Sequence, residues 1–261
     1  MGVVNVTPDS FSDGGRFAAP GAALAHARAL IAAGADALDI GGESTRPGAT
    51  PVSAAEELDR VVPLIEAVRS ESDVVISIDT MKPAVARAAV ALGATFWNDV
   101  TALRYAHESL ETAAALGCQV VLMHMQGEPA TMQQAPRYDD VVGEVSAFLA
   151  ERAQAAMAAG VARSRIWIDP GLGFGKTTQH NLSLVHGLKR IAGLGFPVLV
   201  GASRKGLIRV IDPRATDPST RLGGSITLAL AATEGGAEML RVHDVADTRQ
   251  ALLVWAALSR S

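Results

Sequence analysis

The chain has 261 residues, of which 49% are hydrophobic, and a formal net charge of -4 at pH 7. This charge provides no overall field to hold nucleic acid or an anionic membrane surface, so we expect neither partner. Cys118 is the only cysteine and allows neither an internal disulfide nor a zinc cluster. The sequence shows no signal-peptide pattern and no apolar run of membrane-spanning length. Together these observations predict a cytoplasmic protein.

Short β-rich runs alternate with longer Ala-rich amphipathic stretches along the whole chain. The predicted strands are Val3–Val6, Ala37–Ile40, Val74–Asp79, Thr95–Asp99, Gln119–His124, Ile166–Asp169, Val198–Ala202 and Met239–Val242. The predicted helices are Gly21–Ala33, Ala54–Arg69, Pro83–Leu92, Glu108–Leu116, Asp139–Ala159, Gln179–Leu194, Ser219–Glu234 and Ala246–Ala257. About eight βα units predict an α/β fold, a (β/α)8 TIM barrel formed by one domain over residues 1–261, with a doubly wound sheet as the alternative.

The joins from helix to strand share one kind of turn. The segments AAGADALDI and ALGATFWND place a glycine where a helix ends, and AALGCQVV, GLGFPVLV and EGGAEMLRV repeat the arrangement. A left-handed C-cap favours glycine at this position. The likeness among the joins is shared turn chemistry and not a sequence repeat.

Polar side chains gather at the opposite ends of the strands. They are Asn5, Asp39 with Glu43, Asp79, Asn98 with Asp99, His124, Asp169, Ser203–Lys205, and Arg241 with His243. Any one of them could be a helix N-cap or a solvated loop residue. In a barrel, however, all of them would ring one mouth, which is where active sites of this architecture are found.

Two glycine-rich motifs suggest nucleotide binding but fail its requirements. In DPGLGFGKT, a P-loop would need glycine where Pro170 stands, and a dinucleotide motif would need glycine at Lys176. In GASRKG, Leu207 follows where a P-loop needs lysine. The chain also has no HxxxH or HExxH spacing, which disfavours a zinc hydrolase.

Lys205 and the pair Arg241 and His243 are candidates for binding anionic or heterocyclic groups. Lys205 could be a solvated residue at a helix start, a Schiff-base nucleophile, or a donor to a bound heterocycle or phosphate. Arg241 and His243 lie on the same side of an extended segment, where two donors suit a diphosphate. For His243 the alternative is a structural histidine.

The remaining strand-end residues suggest a metal and a ring. Asn5 offers an oxygen to a hard ion such as Mg²⁺ that is held mainly by substrate phosphates. Asp79, Asn98 and Asp169 would project from separate strands into one mouth. Carboxylates accept paired hydrogen bonds from an N–C–NH edge, so these three side chains would bind a guanine-like or pterin-like ring.

The motifs NVTPDSFSDGG, DIGGESTRPGA, SIDT, NDVTA, DPGLGFGK, GASRKG and RVHDV, in this order, resemble those of the dihydropteroate synthases over nearly the whole chain. The resemblance implies a TIM barrel that joins 6-hydroxymethyl-7,8-dihydropterin diphosphate to 4-aminobenzoate, releases pyrophosphate, uses Mg²⁺ and serves folate biosynthesis. Sulfonamides would compete for the aminobenzoate site. Homodimers are common in the family.

The resemblance also implies roles for individual residues. Asp79, Asn98, Asp169 and Lys205 would hold the pterin; Asn5 would meet Mg²⁺ and diphosphate; Arg241 and His243 would bind the diphosphate. Phe11 would lie in a first mobile loop that closes over substrate, Thr45 and Arg46 in a second, and Ser203 beside the aminobenzoate carboxylate, with Phe174 also binding substrate. The chain departs from the family in lacking the segment that usually precedes MGVVNV, and we expect this to affect only the barrel floor near the first strand.

Three alternatives compete with this interpretation. A folate-dependent methyltransferase domain would use a similar Asp, Asn and Asp set, although it would not need the RVHDV diphosphate grip. A Schiff-base aldolase would use Lys205. A noncatalytic pterin-binding paralogue would have lost the loop motif or Asn5, and both are present.

Overall fold

The computed structural model describes residues 1–7, 15–45, 48–128 and 131–259, with the backbone alone for residues 15–20. Two of the predicted site residues, Phe11 and Arg46, lie outside the described residues.

Within the part of the chain that the structure describes, eight short parallel strands form the centre of the molecule. β1 (Gly2–Asn5), β2 (Ala37–Gly41), β3 (Val75–Asp79), β4 (Phe96–Asp99), β5 (Gln119–Met123) and β6 (Ile166–Asp169) pair in chain order, and β7 (Leu199–Val200) pairs with β8 (Met239–Leu240). The predicted strands are confirmed in number and order. The last two are shorter than predicted.

Single parallel bridges join the two sheets at both edges. Ile168 bridges to Val198, which connects β6 to the start of β7, and Gly2 bridges to Val242, which connects β1 to the residues after β8. The N–H of Val3 donates to the carbonyl of Val242 at 3.0 Å, and the N–H of Val242 donates to that of Met1 at 2.9 Å. The strands therefore close into the predicted barrel, and the doubly wound alternative is wrong.

The two faces of each strand pack into different apolar clusters. One cluster holds Met1, Ala37, Phe96, Val121 and Leu199, with Trp167 and Met239 against it. Their neighbours in sequence, such as Leu38, Trp97 and Val120, belong to a larger cluster shared with the helices. Because side chains alternate along a strand, the first cluster fills the barrel interior and the second lies between strands and helices.

Helices surround the barrel. The described helices are α1 (Gly15–Ala32), α2 (Ala54–Glu71), α3 (Pro83–Ala91), α4 (Ser109–Leu116), α5 (Val141–Ala158), α6 (Thr178–His186), α7 (Leu188–Ala192), α8 (Gly206–Ile211), α9 (Leu222–Glu234) and α10 (Val245–Leu258). Within the described part of the chain, none of them is long and apolar enough to cross a membrane.

The helices differ from the prediction at four places, of which the first is the start of α1 at Gly15 and not at Gly21. The predicted helix Gln179–Leu194 is two helices that meet at Gly187, where a Cβ would lie 2.7 Å from Val142 Cγ2 and no side chain fits. A 3-10 turn, Pro218–Arg221, replaces the first residues of the helix predicted from Ser219. The short helix α8 was not predicted, because six residues are too few to show an amphipathic period.

The predicted glycine turns are confirmed. All five glycines at the helix-to-strand joins have a positive φ, in the range that favours glycine: Gly34, Gly93, Gly117, Gly195 and Gly236. The joins turn the chain at one end of the barrel and leave the other end to the polar strand termini.

Candidate active site

An ion-pair network lies at the carboxyl ends of the strands. Arg241 follows β8 and donates through Nε to Asp39 Oδ2 at 2.5 Å and through Nη2 to Asp79 Oδ2 at 2.7 Å. The same Asp39 oxygen accepts a hydrogen bond from Asn98 Nδ2 at 3.1 Å. One guanidinium thus joins β2 and β3 to the residue after β8, and Asp39 adds β4. Three of the predicted residues lie in this network.

The strand pattern explains why these side chains meet. Asp39, Asn98 and Arg241 each come two residues after a member of the interior cluster, namely Ala37, Phe96 and Met239. They therefore continue the inward-facing row of their strands beyond the apolar filling. Asp169 follows Trp167 in the same way.

Burial shifts the titration of this network. Burial raises the pKa of Asp79 to about 7, against the opposing charge of Arg241, and the neighbouring Asp39 raises it further. The pKa of Arg241 is raised because the two carboxylates outweigh its burial. The guanidinium stays charged, and Asp79 can change its protonation state near neutral pH.

Asp169, the last residue of β6, is fixed by the turn that follows it. Its Oδ1 accepts the N–H of Gly171 at 2.7 Å. Burial raises the pKa of Asp169 to about 6, while that hydrogen bond and the charges of Lys205, Lys176 and Arg241 oppose the rise. The carboxylate therefore belongs to the same electrostatic neighbourhood as the network around Arg241.

Lys176 holds this turn from inside. Its ammonium lies 2.9 Å from the carbonyl oxygens of Gly171 and Phe174, 3.2 Å from that of His124, and 2.9 Å from His124 Nδ1. Burial lowers the pKa of His124 to about 3 and that of Lys176 to about 7, so the ring is neutral and can accept a hydrogen bond from the lysine nitrogen. His124 is thus a structural residue that helps to shape the turn.

Lys205 lies on the other side of the turn. Its ammonium is 4.8 Å from the centre of the Phe174 ring, and its side chain passes so close to Gly173 that a Cβ there would be 3.3 Å from Lys205 Cδ. Burial lowers the pKa of Lys205 to about 8, while the charge of Asp169 opposes this. The structure brings Asp169, Phe174 and Lys205 together.

His243 pairs with Ser203. Ser203 Oγ accepts the main-chain N–H of His243 at 3.2 Å and lies 3.0 Å from its ring Nδ1. Burial and then the charge of Arg241 lower the pKa of His243 to about 4, so the ring is neutral at pH 7. Ser203 Oγ and Nδ1 are hydrogen-bond partners, and the tautomer of the ring sets which of them donates.

Arg204 ties these two segments to each other. Its guanidinium pairs with Asp244 at 2.5 and 3.0 Å, and its N–H donates to Ser225 Oγ at 2.8 Å. Its φ is +57°, a strained value for a residue with a side chain. The ion pair links the residue between Ser203 and Lys205 to the neighbour of His243.

Asn5 and Thr45 lie at the same mouth but outside these networks. Asn5 ends β1, is half-buried and pairs in register with Gly41, the last residue of β2. Thr45 is half-buried in the segment that follows β2. Among the described residues there is no group of three or more His, Cys, Asp or Glu side chains that could hold a metal ion by themselves.

Sequence reasoning assigned no role to Asp39, Lys176 and Arg204. Asp39 carried a signal, because it lies between Leu38 and Ile40 inside a strand that is buried throughout, and a buried carboxylate requires a partner. Lys176 is one of only four lysines and follows three glycines. The left-handed backbone of Arg204 left no mark in the sequence.

Comparisons with known proteins agree with this geometry. A model of the family described as pterin binding enzyme matches residues 1–243. The dihydropteroate synthase of Escherichia coli K12 is 47% identical over 97% of this chain and 89% of its own. The Xanthomonas albilineans dihydropteroate synthase solved with 4-aminobenzoic acid has a TM-score of 0.94 and 52% identity, covering 100% of this chain and 93% of its own.

A second structure of the Xanthomonas albilineans enzyme is a complex with 7,8-dihydropteroate. It has a TM-score of 0.91 and 49% identity, and it covers 100% of this chain and 93% of its own.

Proposed function

We propose a division of roles among the residues of the mouth from one premise: this chain belongs to the pterin-binding enzyme family and has dihydropteroate synthase activity. It condenses 6-hydroxymethyl-7,8-dihydropterin diphosphate with 4-aminobenzoate and releases pyrophosphate. The bond from the pterin methylene carbon to the diphosphate oxygen breaks. A bond from that carbon to the amine nitrogen forms, and the amine loses a proton.

In our proposal the pterin lies over Asp79, Asn98, Asp169 and Lys205. The single observation that carries this is the network in which Arg241 joins Asp39 and Asp79 and Asp39 accepts from Asn98, near the charges of Asp169 and Lys205. Carboxylates accept from the N–C–NH edge of the ring, and the ammonium donates to its acceptors. Phe174 forms an apolar wall under the ammonium.

The diphosphate would lie between Arg241 and His243. Arg241 donates through Nε to Asp39 and through Nη2 to Asp79. Its Nη1 makes no hydrogen bond to the described part of the chain. His243 is neutral, so in the tautomer with its proton on Nε2 it would act as a hydrogen-bond donor and not as a cation. Preorganised donors of this kind stabilise the charge that grows on a leaving group.

The carboxylates near Arg241 would favour the opposite charge. As the diphosphate leaves, positive charge develops on the pterin and its methylene carbon. Asp79 and Asp169 are held in place by hydrogen bonds from Arg241 and Gly171, and preorganised carboxylates of this kind stabilise positive charge. The reaction therefore needs no nucleophile from the protein.

Mg²⁺ fits the donor set at Asn5. The amide oxygen of Asn5 is a hard ligand, and Mg²⁺ commonly takes one or two protein oxygens with the remaining positions filled by water and phosphate. We propose that Asn5 meets the ion and the diphosphate together. The ion would neutralise charge on the leaving pyrophosphate.

The aminobenzoate would approach from the side of Thr45, Arg46, Ser203 and Phe11. Phe11 and Arg46 keep the roles that the family resemblance implies. In the tautomer with the proton of His243 on Nε2, contact of the Ser203 hydroxyl with the carboxylate would require it to turn away from Nδ1, which lies 3.0 Å away. Binding of the second substrate would then be coupled to the orientation of His243.

A homodimer and a cytoplasmic location complete the proposal. Leu253 and Val254 on α10 are 60% and 56% exposed, and large exposed apolar side chains of this kind suit an interface between two copies. Cys118 is a free, buried thiol, which suits a reducing compartment.

The test of the proposal measures pyrophosphate release by the purified protein with Mg²⁺, the dihydropterin diphosphate and 4-aminobenzoate. Asp169→Asn and Arg241→Ala are compared with Asp59→Asn, a change of an exposed carboxylate on α2. We expect the control to match the wild type and both site variants to be impaired. Wild-type rates in both site variants would refute the proposed roles.

A further inference from the structure

Outside the pterin network, a second buried ion cluster lies between β2, α2 and the start of α3. The ammonium of Lys82 is 2.7 Å from Glu43 Oε2 and 2.6 Å from Glu57 Oε2. The side chains of Lys82 and Glu43 are each 7% exposed, and that of Glu57 is fully buried. One lysine therefore joins the segment after β2, the first turn of α2 and the residue before α3.

Glu43 also holds the far end of its own segment. Its second oxygen, Oε1, accepts the main-chain N–H of Val52 at 3.1 Å. This hydrogen bond joins the two ends of the segment from residue 43 to residue 52, and Thr45 lies two residues after Glu43. Glu57 makes no such contact: its Oε1 has no hydrogen-bond partner among the described residues.

The start of the segment is fixed as well. The carbonyl of Gly42 accepts from Arg60 Nη1 at 2.7 Å. A Cβ at Gly42 would lie 2.8 Å from Val61 Cγ1 and 2.9 Å from Glu57 Cγ, so the backbone packs directly against α2. The segment that carries Thr45 thus leaves the barrel from a rigid base.

Stability alone is a weak reason to keep this cluster. Two carboxylates share one ammonium away from water, and replacing buried ion pairs with apolar side chains is often neutral or stabilising. An apolar side chain could not replace Glu43 in one respect. The carboxylate of Glu43 binds Lys82 with one oxygen and the main-chain N–H of Val52 with the other. The geometry of Glu43 therefore suggests a role in placing the segment.

We propose that Glu43 and Lys82 are positioning residues for the second substrate: the pair fixes the base of the segment after β2, so that Thr45 is held at the mouth for 4-aminobenzoate. This inference rests on the proposed role of Thr45. Neither Glu43 nor Lys82 needs to touch the substrate.

The test compares two isosteric changes within the same cluster. Glu43→Gln leaves one acceptor oxygen where two are needed, so either Lys82 or Val52 loses its contact. Glu57→Gln keeps the Glu43–Lys82 pair and the tie to Val52. For each variant, KM is measured separately for 4-aminobenzoate and for the dihydropterin diphosphate, together with kcat and the thermal unfolding midpoint.

We expect Glu43→Gln to raise KM for 4-aminobenzoate about tenfold or more, since small displacements of a positioning group are felt at this scale. KM for the dihydropterin diphosphate and kcat should stay near the wild-type values. Glu57→Gln should leave both KM values unchanged. An unchanged KM for 4-aminobenzoate in Glu43→Gln, equal effects in the two variants, or a parallel rise for both substrates would overturn the inference.

Two further variants cover the remaining outcomes. If Glu43→Gln does not fold, the double variant Lys82→Met/Glu57→Leu removes the ammonium while keeping the cluster filled. It should also raise KM for 4-aminobenzoate, and a wild-type value would overturn the inference. Thr45→Val separates the two proposals: a wild-type KM there contradicts the proposed function, whereas a raised KM with unaffected Glu43→Gln contradicts the positioning role alone.

Discussion

At the scale of single residues, the site is built from charged side chains that each serve more than one partner. Arg241 serves Asp39 and Asp79 at once, and Asp39 also accepts from Asn98. Asp39 Oδ1 has no hydrogen-bond partner among the described residues. A buried carboxylate that lacks one partner depends strongly on the others. Arg241 therefore orders the site before substrate arrives, in addition to its proposed contact with diphosphate.

For Arg241→Ala we expect turnover to fall about a hundredfold or more, the loss typical of removing one donor that stabilises charge in the transition state. Steady-state release of pyrophosphate measures it. Arg28→Ala, which removes an arginine paired with Glu71 at the surface, is the control. A near-normal rate in Arg241→Ala would contradict its assigned role.

The pterin affinity should depend on pH through the buried carboxylates. The pKa of Asp169 is raised to about 6 and that of Asp79 to about 7. A carboxyl group that gains a proton loses its pairing with a donor edge, so affinity should fall as pH drops from about 7.5 to 5. Calorimetric titration at several pH values measures this.

Asp169→Asn tests the assignment within that pH series. We expect weaker pterin binding at every pH, because one of the two acceptor oxygens becomes a donor, and loss of the part of the pH dependence centred near 6. Unchanged affinity would remove Asp169 from the pterin site.

At the scale of elements, the loops at the mouth are fixed by contacts that cross between segments. The turn after β6 closes around the Lys176 ammonium, and the segment between β7 and α8 is held through Arg204 to Asp244. These ties position Phe174, Lys205 and His243 more firmly than an exposed loop would. Precise placement of this kind is what a site that works by electrostatics requires.

Gly171→Ala should disrupt the turn after β6. Gly171 has φ +66°, and a Cβ there would lie 2.0 Å from the carbonyl oxygen of His124. We expect a loss of at least about 1–3 kcal/mol in the free energy of unfolding, from backbone strain alone, and weaker pterin binding. Chemical denaturation and calorimetry measure the two effects.

The control for that change is Gly223→Ala in α9, where a Cβ would meet nothing within 4 Å. Alanine is the better helix former by about 0.5–1 kcal/mol, so this variant should be as stable as the wild type or more stable. Equal losses in the two variants would contradict the specific role of the turn.

Much of the element order could be predicted from the sequence, and the reason is physical. Parallel strands buried on both faces give short apolar runs, and the helices between them end on glycines such as Gly34 and Gly93 whose positive φ is confirmed. The close packing of Gly187 against Val142 could not be predicted, because Val142 belongs to another helix. The same is true of Asp39, whose partner Arg241 is 202 residues away in the chain.

At the scale of the whole molecule, closure of the barrel creates the site. The bridge between Gly2 and Val242 joins the two ends of the strand order, and it carries Arg241 next to β2 and β3. Eight of the predicted residues could be recognised as strand-end groups, but their pairing needed the closed ring. The family resemblance supplied the roles that the residues alone left open.

The proposed homodimer makes a prediction at this scale. Leu253→Glu with Val254→Glu places two charges on the exposed apolar part of α10, and we expect the protein to shift from dimer to monomer in light scattering. Gln154→Glu, at an exposed position of α5, is the control and should remain dimeric. A wild-type protein that is monomeric at micromolar concentration would contradict the proposal.

The most direct test is a crystal structure of this protein with Mg²⁺ and the dihydropterin diphosphate in the absence of 4-aminobenzoate. We expect the bicyclic ring within hydrogen-bond distance of Asp79, Asn98 and Asp169, and the diphosphate within reach of Arg241 and His243. A ring bound away from Asp169, or a diphosphate that neither Arg241 nor His243 contacts, would contradict the proposed roles.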